Sequence, residues 1–174
     1  MINFKSKDFF LEKNFNYLFT QYNLYNFSSQ KNFILIDLIK NNDQLIVGIN
    51  NEKINFNLPL SFTDFFVLLK KKLINISISK DKIKFYPFKN LVMYKNLDLY
   101  LKDIHNIIFS NLIISIDEGI NKIDLYKTLW PQDKDVSMNK LDTHLTNLKN
   151  EIYDGLQIDL NFSSKNNFIK LVIN

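Results

Sequence analysis

The stretch that decides the fold begins Lys122-Ile123-Asp124-Leu125-Tyr126-Lys127-Thr128-Leu129-Trp130. It passes Pro131 and a polar loop, Gln132–Val136, and resumes as Ser137-Met138-Asn139-Lys140-Leu141-Asp142-Thr143-His144-Leu145-Thr146-Asn147-Leu148-Lys149. In the second piece Met138, Leu141, Leu145, Leu148 and Ile152 recur at steps of three and four residues, the spacing of one helix face, with nearly everything else polar. Ser137 is the expected N-cap and Gly155 the expected stop. In the first piece Asn121 caps a shorter helix, Asp124 sits in its first turn and Pro131 ends it.

Working outward, Leu156–Phe162 and Phe168–Ile173 alternate around a turn at Ser163–Asn167, which predicts a C-terminal β-hairpin. Upstream, Asp103 is the expected cap of a helix to about Ser115, with Ile104, Ile107, Ile108, Phe109 and Leu112 buried and Asp117-Glu118-Gly119 as its breaker. Before it, Lys82–Pro87, Leu91–Tyr94 and Leu97–Leu101 read as short strands of an antiparallel sheet, with turns at Lys89-Asn90 and Lys95-Asn96. The first half is expected to carry an amphipathic helix over Asp8–Tyr25 and a loop at Asn26–Gln30. A buried strand follows at Asn32–Ile39, then strands at Leu45–Ile49 and Ile54–Leu58, and a helix over Ser61–Leu73. That last helix closes on Lys70-Lys71-Lys72, where cations oppose the negative end of the helix dipole. No Gly/Pro/Ser linker marks a boundary; the junction is placed near residue 79, giving units 1–79 and 80–174.

Composition narrows the function. The chain of 174 residues is 46% hydrophobic and 23% charged, an ordinary globular balance. No apolar run approaches the roughly 18 residues of a membrane span, and the start Met1–Asp8 has no apolar leader. A cytoplasmic protein without membrane contact is expected. Zero Cys excludes disulfides, thiol catalysis and Cys-held metals. The chain has no Arg and no Ala, while Asn occurs 25 times and Lys supplies all 22 positive charges. Lys, Asn, Ile and Phe have AT-rich codons, so part of this content records nucleotide bias. Net charge is +3 over residues 1–79 (9 Lys, 6 acids) and +1 over 80–174 (13 Lys, 12 acids). Only His105 and His144, and three Gly without a phosphate-loop spacing, are present. No Ser–His–acid set or metal cluster is visible, so neither an enzyme nor a cofactor, metal or small-molecule substrate is expected.

From Tyr86 onward the chain resembles the DNA-binding domain of OmpR/PhoB-type response regulators. The resemblance rests on Lys122–Trp130, the short loop, and Leu141-Asp142-Thr143-His144-Leu145-Thr146-Asn147-Leu148-Lys149, where the family has a Leu-rich helix ending in Trp and then a Val/Leu-x-x-His-Ile-x-x-Leu-Arg helix. Tyr86-Pro87-Phe88-Lys89-Asn90-Leu91 fits the family's opening strands and Phe168 its wing aromatic. The match covers about 90 residues. It implies an α+β fold: a small α/β receiver-like unit, then a winged helix with an N-terminal antiparallel sheet, three helices and a hairpin wing. Residues 1–79 resemble a shortened, degenerate receiver of a two-component system. Leu58-Pro59-Leu60-Ser61-Phe62 stands where a receiver has Lys-Pro-Phe, with Leu58 in the place of the Lys, and Asp37 ends an apolar strand as a phospho-acceptor would. Only about 20 residues separate Asp37 from Pro59, too few for a full receiver, and an acidic pair for Mg²⁺ is missing. Asp37 is therefore expected to cap a turn and not to be phosphorylated.

The resemblance puts the helix that starts at Ser137 in the major groove of double-stranded DNA and the hairpin against the backbone or minor groove. With the apolar stripe inward, Asn139, Thr143, Thr146, Asn147 and Asn150 point outward; Asn can pair with adenine N6/N7 and Thr methyls can touch thymine. The family's Arg contacts fall on Thr146, Asn147 and Lys149, two of which are uncharged. Lys134 in the loop, Lys140 on the helix and Lys165 in the wing complete the expected DNA-binding set as phosphate contacts, the plainer reading of each Lys being a solvated surface residue. His144 is expected to pack and Trp130 to be core. The helix carries Lys140 and Lys149 against Asp142, Glu151 and Asp154, a net −1, which predicts weak phosphate neutralisation. The expected function is a phosphorylation-independent, sequence-specific transcriptional regulator. The alternative is a winged helix that has become a protein-interaction module and lost DNA binding. The resemblance also implies a homodimer formed through residues 1–79, with the helices Asp8–Tyr25 and Ser61–Leu73 as candidate surfaces.

Overall fold

The computed structural model of the chain describes residues 2–21, 34–49 and 52–173. Among these the fold is α+β, with five α-helices and three sheets. The chain divides into two compact units at Leu69/Lys70, where residue 79 was the expected junction.

The first unit carries strand β1 (Ile2–Ser6), helix α1 (Phe9–Gln21), strands β2 (Ile34–Asn41), β3 (Gln44–Ile49) and β4 (Glu52–Asn57), and the start of helix α2 (Phe62–Leu73). Its sheet runs β1-β2-β3-β4. The β1–β2 pair is parallel, with Phe4 opposite Ile36, and β2, β3 and β4 form an antiparallel meander. A receiver-like α/β unit would carry a parallel sheet; here one parallel pair is joined to an antiparallel ribbon, because the connections Asn42-Asp43 and 50–51 are too short for crossovers.

Strand β1 was not expected: five residues alternate too briefly to stand out, and the strand is completed by tertiary partners. Asn16 of α1 accepts from Phe4 N at 3.0 Å and donates to Phe4 O at 2.9 Å, satisfying backbone groups that the sheet leaves open on this edge. Asp8 caps α1 by accepting from Phe10 N and Leu11 N. Ser61 caps α2: its hydroxyl oxygen accepts from Asp64 N and its O–H donates to the Asp64 carboxylate. The expected extension of α1 to Tyr25, the loop Asn26–Gln30 and the strand residues Asn32 and Phe33 lie outside the described residues.

The core of this unit is aromatic. Phe65 of α2 lies 5.0 Å from Phe15, 5.4 Å from Phe56 and 6.3 Å from Phe4, ring centre to ring centre. β2 is not the fully buried strand its composition suggests. Ile36 and Leu38 face the core, whereas Leu35, Asp37 and Ile39 lie on the exposed face.

The second unit contains strands β5 (Ile78–Lys80), β6 (Ile83–Tyr86), β7 (Leu91–Tyr94) and β8 (Leu97–Tyr100), with a 3-10 turn at Pro87–Lys89. These four strands form an antiparallel sheet in chain order, and β5, spanning residue 79, pairs Ile78 with Phe85. Helix α3 (Asp103–Ile114), the short strand β9 (Ile120–Asn121), helices α4 (Lys122–Leu129) and α5 (Met138–Leu156), and the hairpin β10 (Leu160–Lys165) and β11 (Phe168–Ile173) follow. β11 lies between β10 and β9, so the hairpin is anchored to the entry of α4.

Helix α3 is buried on more than the expected face. His105, Asn106, Ser110 and Asn111 are buried with Ile108, Phe109, Leu112 and Ile113. The amide and hydroxyl donors are served locally, Asn106 donating to Pro87 O at 3.0 Å, Ser110 to Asn106 O and Asn111 to Ile107 O, while Asn106 Oδ1 and Asn111 Oδ1 are buried without a hydrogen-bond partner. Asp103 is the first helical residue and not the cap; its carboxylate instead accepts from Asn90 Nδ2 at 2.8 Å. Phe85 meets Phe109 edge to face at 5.0 Å, and the α5 stripe of Leu141, Leu145, Leu148 and Ile152 closes the same core.

Two ends differ from expectation. Gly155 does not stop α5, which runs to Leu156 and ends on Gln157 in the left-handed region. A Cβ at Gly155 would lie 2.7 Å from Leu99 Cδ1, so this glycine permits close approach of α5 to β8. The hairpin turn is two residues, Asn166-Asn167, both at positive φ, and not Ser163–Asn167. Primed two-residue turns match strand twist, and Asn tolerates their backbone.

Candidate nucleic-acid interface

Helix α5 sets the geometry. Ser137 accepts from Lys140 N at its start, and the inward stripe fixes its rotation about its own axis. Asn139, Thr143, Thr146, Asn147 and Asn150 are all exposed. At 100° per residue they occupy the side opposite the buried stripe, over about 16 Å of helix. Thr143 Oγ1 donates to Asn139 O at 2.8 Å and Thr146 Oγ1 to Asp142 O at 3.0 Å. Each hydroxyl proton is thereby committed to the helix.

The cations of the expected set fall into two groups. Lys140 pairs with Asp133 at 2.8 Å and stands 4.2 Å from the centre of the Trp130 ring. Lys149 pairs with Asp159 at 3.3 Å and donates to Asn161 Oδ1 at 2.7 Å. Neither is a free phosphate ligand, because each is held by an acid of the chain. Lys134 in the loop before α5 and Lys165 at the end of β10 are exposed, and among the described residues neither has an acidic partner. Lys122, outside the expected set, pairs with Asp142 at 3.0 Å, linking α4 to α5.

The loop between α4 and α5 is fastened by a cluster that sequence reasoning missed. Tyr126 OH donates to Asp133 Oδ2 at 2.6 Å, and the Tyr126 ring packs at a tilt against Trp130, 4.7 Å centre to centre. Hydrogen bonds from Lys140 and then Tyr126 hold the Asp133 carboxyl below the usual range, and the bond to Asp133 raises the Tyr126 phenol. No periodic signal marks it, because Tyr126 lies on α4, Asp133 in the loop and Lys140 on α5. Trp130 is half-buried at the edge of the core and is not fully internal.

His144 packs, as its inner-edge position suggested. Its ring lies 5.3 Å from Trp130 and 5.8 Å from His105, and its Nδ1 is buried without a hydrogen-bond partner. Burial, then the charges of His105 and Lys140, lower its pKa from the usual value. His105 Nδ1 contacts Glu151 of α5.

Asp37 stands on the exposed face of the first sheet, with Lys5 and Gly48 as its cross-strand neighbours. Among the described residues no group of three or more His, Cys, Asp or Glu could hold a metal ion, and no helix is long and apolar enough to cross a membrane. No protein-family model matches the chain, and no curated protein matches it.

Proposed function

We propose that this chain is a cytoplasmic, non-enzymatic, OmpR/PhoB-type winged-helix regulator. It binds double-stranded DNA through the outward face of α5, with Lys134 and Lys165 on phosphates. The observation that carries the reading is that face: five exposed Asn and Thr side chains, interleaved with Asp142 and Asp154, on a helix held by a complete apolar stripe. The order of a four-stranded antiparallel sheet, three helices and a hairpin supports the same reading. Regulation is independent of phosphorylation, since Lys5 and Gly48, and no acid, flank Asp37 in the sheet. Residues 1–79 then serve dimerisation.

A titration of the full chain with fluorescent 30-base-pair duplexes at two salt concentrations tests this. The expected result is binding at low salt that weakens as salt rises. Absence of binding at low salt removes the reading. A second reading, a protein-interaction module derived from the same fold, is favoured by the pairing of Lys140 and Lys149 with Asp133 and Asp159. It predicts no duplex binding in that titration.

A further inference from the structure

We infer that the duplex preferred by α5 is A·T-rich, read in the major groove by the amides of Asn139, Asn147 and Asn150 and the methyls of Thr143 and Thr146. This rests on the DNA-binding reading above and adds the class of sequence. The argument starts from charge. Of the eight exposed positions of α5, five carry Asn or Thr; the charges there are the acids Asp142, paired with Lys122, and Asp154, and none is a Lys. Guanine is most often read by a bidentate Arg or Lys on O6 and N7. The chain has no Arg, and the two α5 lysines are turned to Asp133 and Asp159. The face therefore lacks the usual reader of guanine.

What it offers suits the other pair. A side-chain amide can donate to adenine N7 and accept from N6, and only adenine presents that acceptor–donor pattern in the major groove. Both Thr hydroxyl protons are spent on i−4 carbonyls. That bond fixes the side-chain rotamer and leaves the methyl as the group without a polar partner, suited to the 5-methyl of thymine. Asn139, Thr143, Asn147 and Asn150 follow one another at steps of four and three, so consecutive contacts climb one groove wall.

The test compares 20-base-pair duplexes by anisotropy with the full chain at low salt. They are A·T-rich, G·C-rich, A·T-rich with deoxyuridine for thymidine, and A·T-rich with 7-deazaadenine for adenine. The A·T duplex is expected to bind about tenfold tighter than the G·C duplex, with most of that preference lost on removing the thymine methyl and adenine N7. Asn147→Ala with Asn150→Ala, at exposed positions and checked for an unchanged urea midpoint, is expected to shrink the same ratio. Equal, clear binding of A·T and G·C duplexes overturns the inference and leaves DNA binding standing. A preference that survives both base analogues also overturns it, since the reading then lies outside the major groove. Binding of no duplex overturns the DNA-binding reading itself and the inference with it.

Discussion

The ammonium of Lys140 stands 4.2 Å from the centre of the Trp130 indole, so the first turn of α5 is clasped to the end of α4. The contact fixes where the intervening loop, with Lys134 in it, leaves the core. Trp130→Ala removes the ring that Lys140, Tyr126 and His144 share. For a half-buried Trp the expected loss is about 2 kcal/mol, below the range for full burial. Trp130→Phe, which keeps a ring, is expected to cost less than half of that. Urea unfolding followed by circular dichroism measures both, since Trp130 is the chain's single Trp and its fluorescence is lost with it.

Asp133 gives the loop a pH dependence of known sign. Its carboxyl is held below the usual range by Lys140 and Tyr126, so the folded state favours the ionised form. The stabilisation is complete above the unfolded-state value of about 4 and is lost as pH falls through the lower folded value. Asp133→Asn is expected to lower the urea midpoint at pH 7, with the difference from the parent protein shrinking as the pH falls below about 4. A constant difference across that range would contradict the assignment.

The same carboxylates restrain DNA affinity. With Lys140 and Lys149 committed to Asp133 and Asp159, the free cations of the proposed interface are Lys134 and Lys165. Two phosphate contacts give a slope of about −2 in log K against log salt. Asp133→Asn combined with Asp159→Asn releases two lysines and is expected to steepen the slope to about −4. Lys134→Ala with Lys165→Ala is expected to flatten it toward zero. Salt-dependent anisotropy titrations distinguish all three proteins.

Local periodicity made most of the second unit legible. The α5 stripe, Ser137 as cap, Asn121 as cap and the hairpin flanks are all written within a few residues of where they act. Strand β1 was not legible, because what makes it a strand is Ile34–Leu38, some thirty residues on, and the amide of Asn16. β2 was misread as doubly buried because its outward residues, Leu35 and Ile39, are apolar without being covered. In the candidate interface the outward Asn and Thr positions could be read from helical spacing. The pairing of Lys140 and Lys149 could not, since Asp159 lies beyond the helix end and Asp133 before its cap. Ion pairs between long side chains leave no periodic trace.

His144 contributes a second pH effect, in a higher range. Burial first, then the charges of His105 and Lys140, favour its neutral form, and Glu151 faces the group only through His105. The folded state therefore binds its proton less readily than the unfolded chain. Stability is complete above about pH 6.5 and declines as pH falls from there through the lower folded value. Imidazole resonances in an NMR titration should place His144 below the ordinary value. His144→Phe is expected to flatten the decline between pH 7 and 5, and an unchanged decline would assign it elsewhere.

Gly155 sits one residue before the end of α5, where Ala would ordinarily stabilise the helix by about 1 kcal/mol. Here the added Cβ would meet Leu99 at 2.7, 3.1 and 3.3 Å, at Cδ1, Cδ2 and Cγ. All three atoms belong to one branched side chain, so turning a single methyl away does not relieve the clash. Either Leu99 leaves its rotamer or α5 lifts from β8, and overpacking of this kind costs about 1–3 kcal/mol. Gly155→Ala is thus expected to destabilise the protein by about 1 kcal/mol net, by difference of the two effects. In a Leu99→Ala background the obstacle is gone and the helix preference is left. There the same substitution is expected to stabilise, and urea midpoints of the four proteins in the double-mutant cycle would show the change of sign.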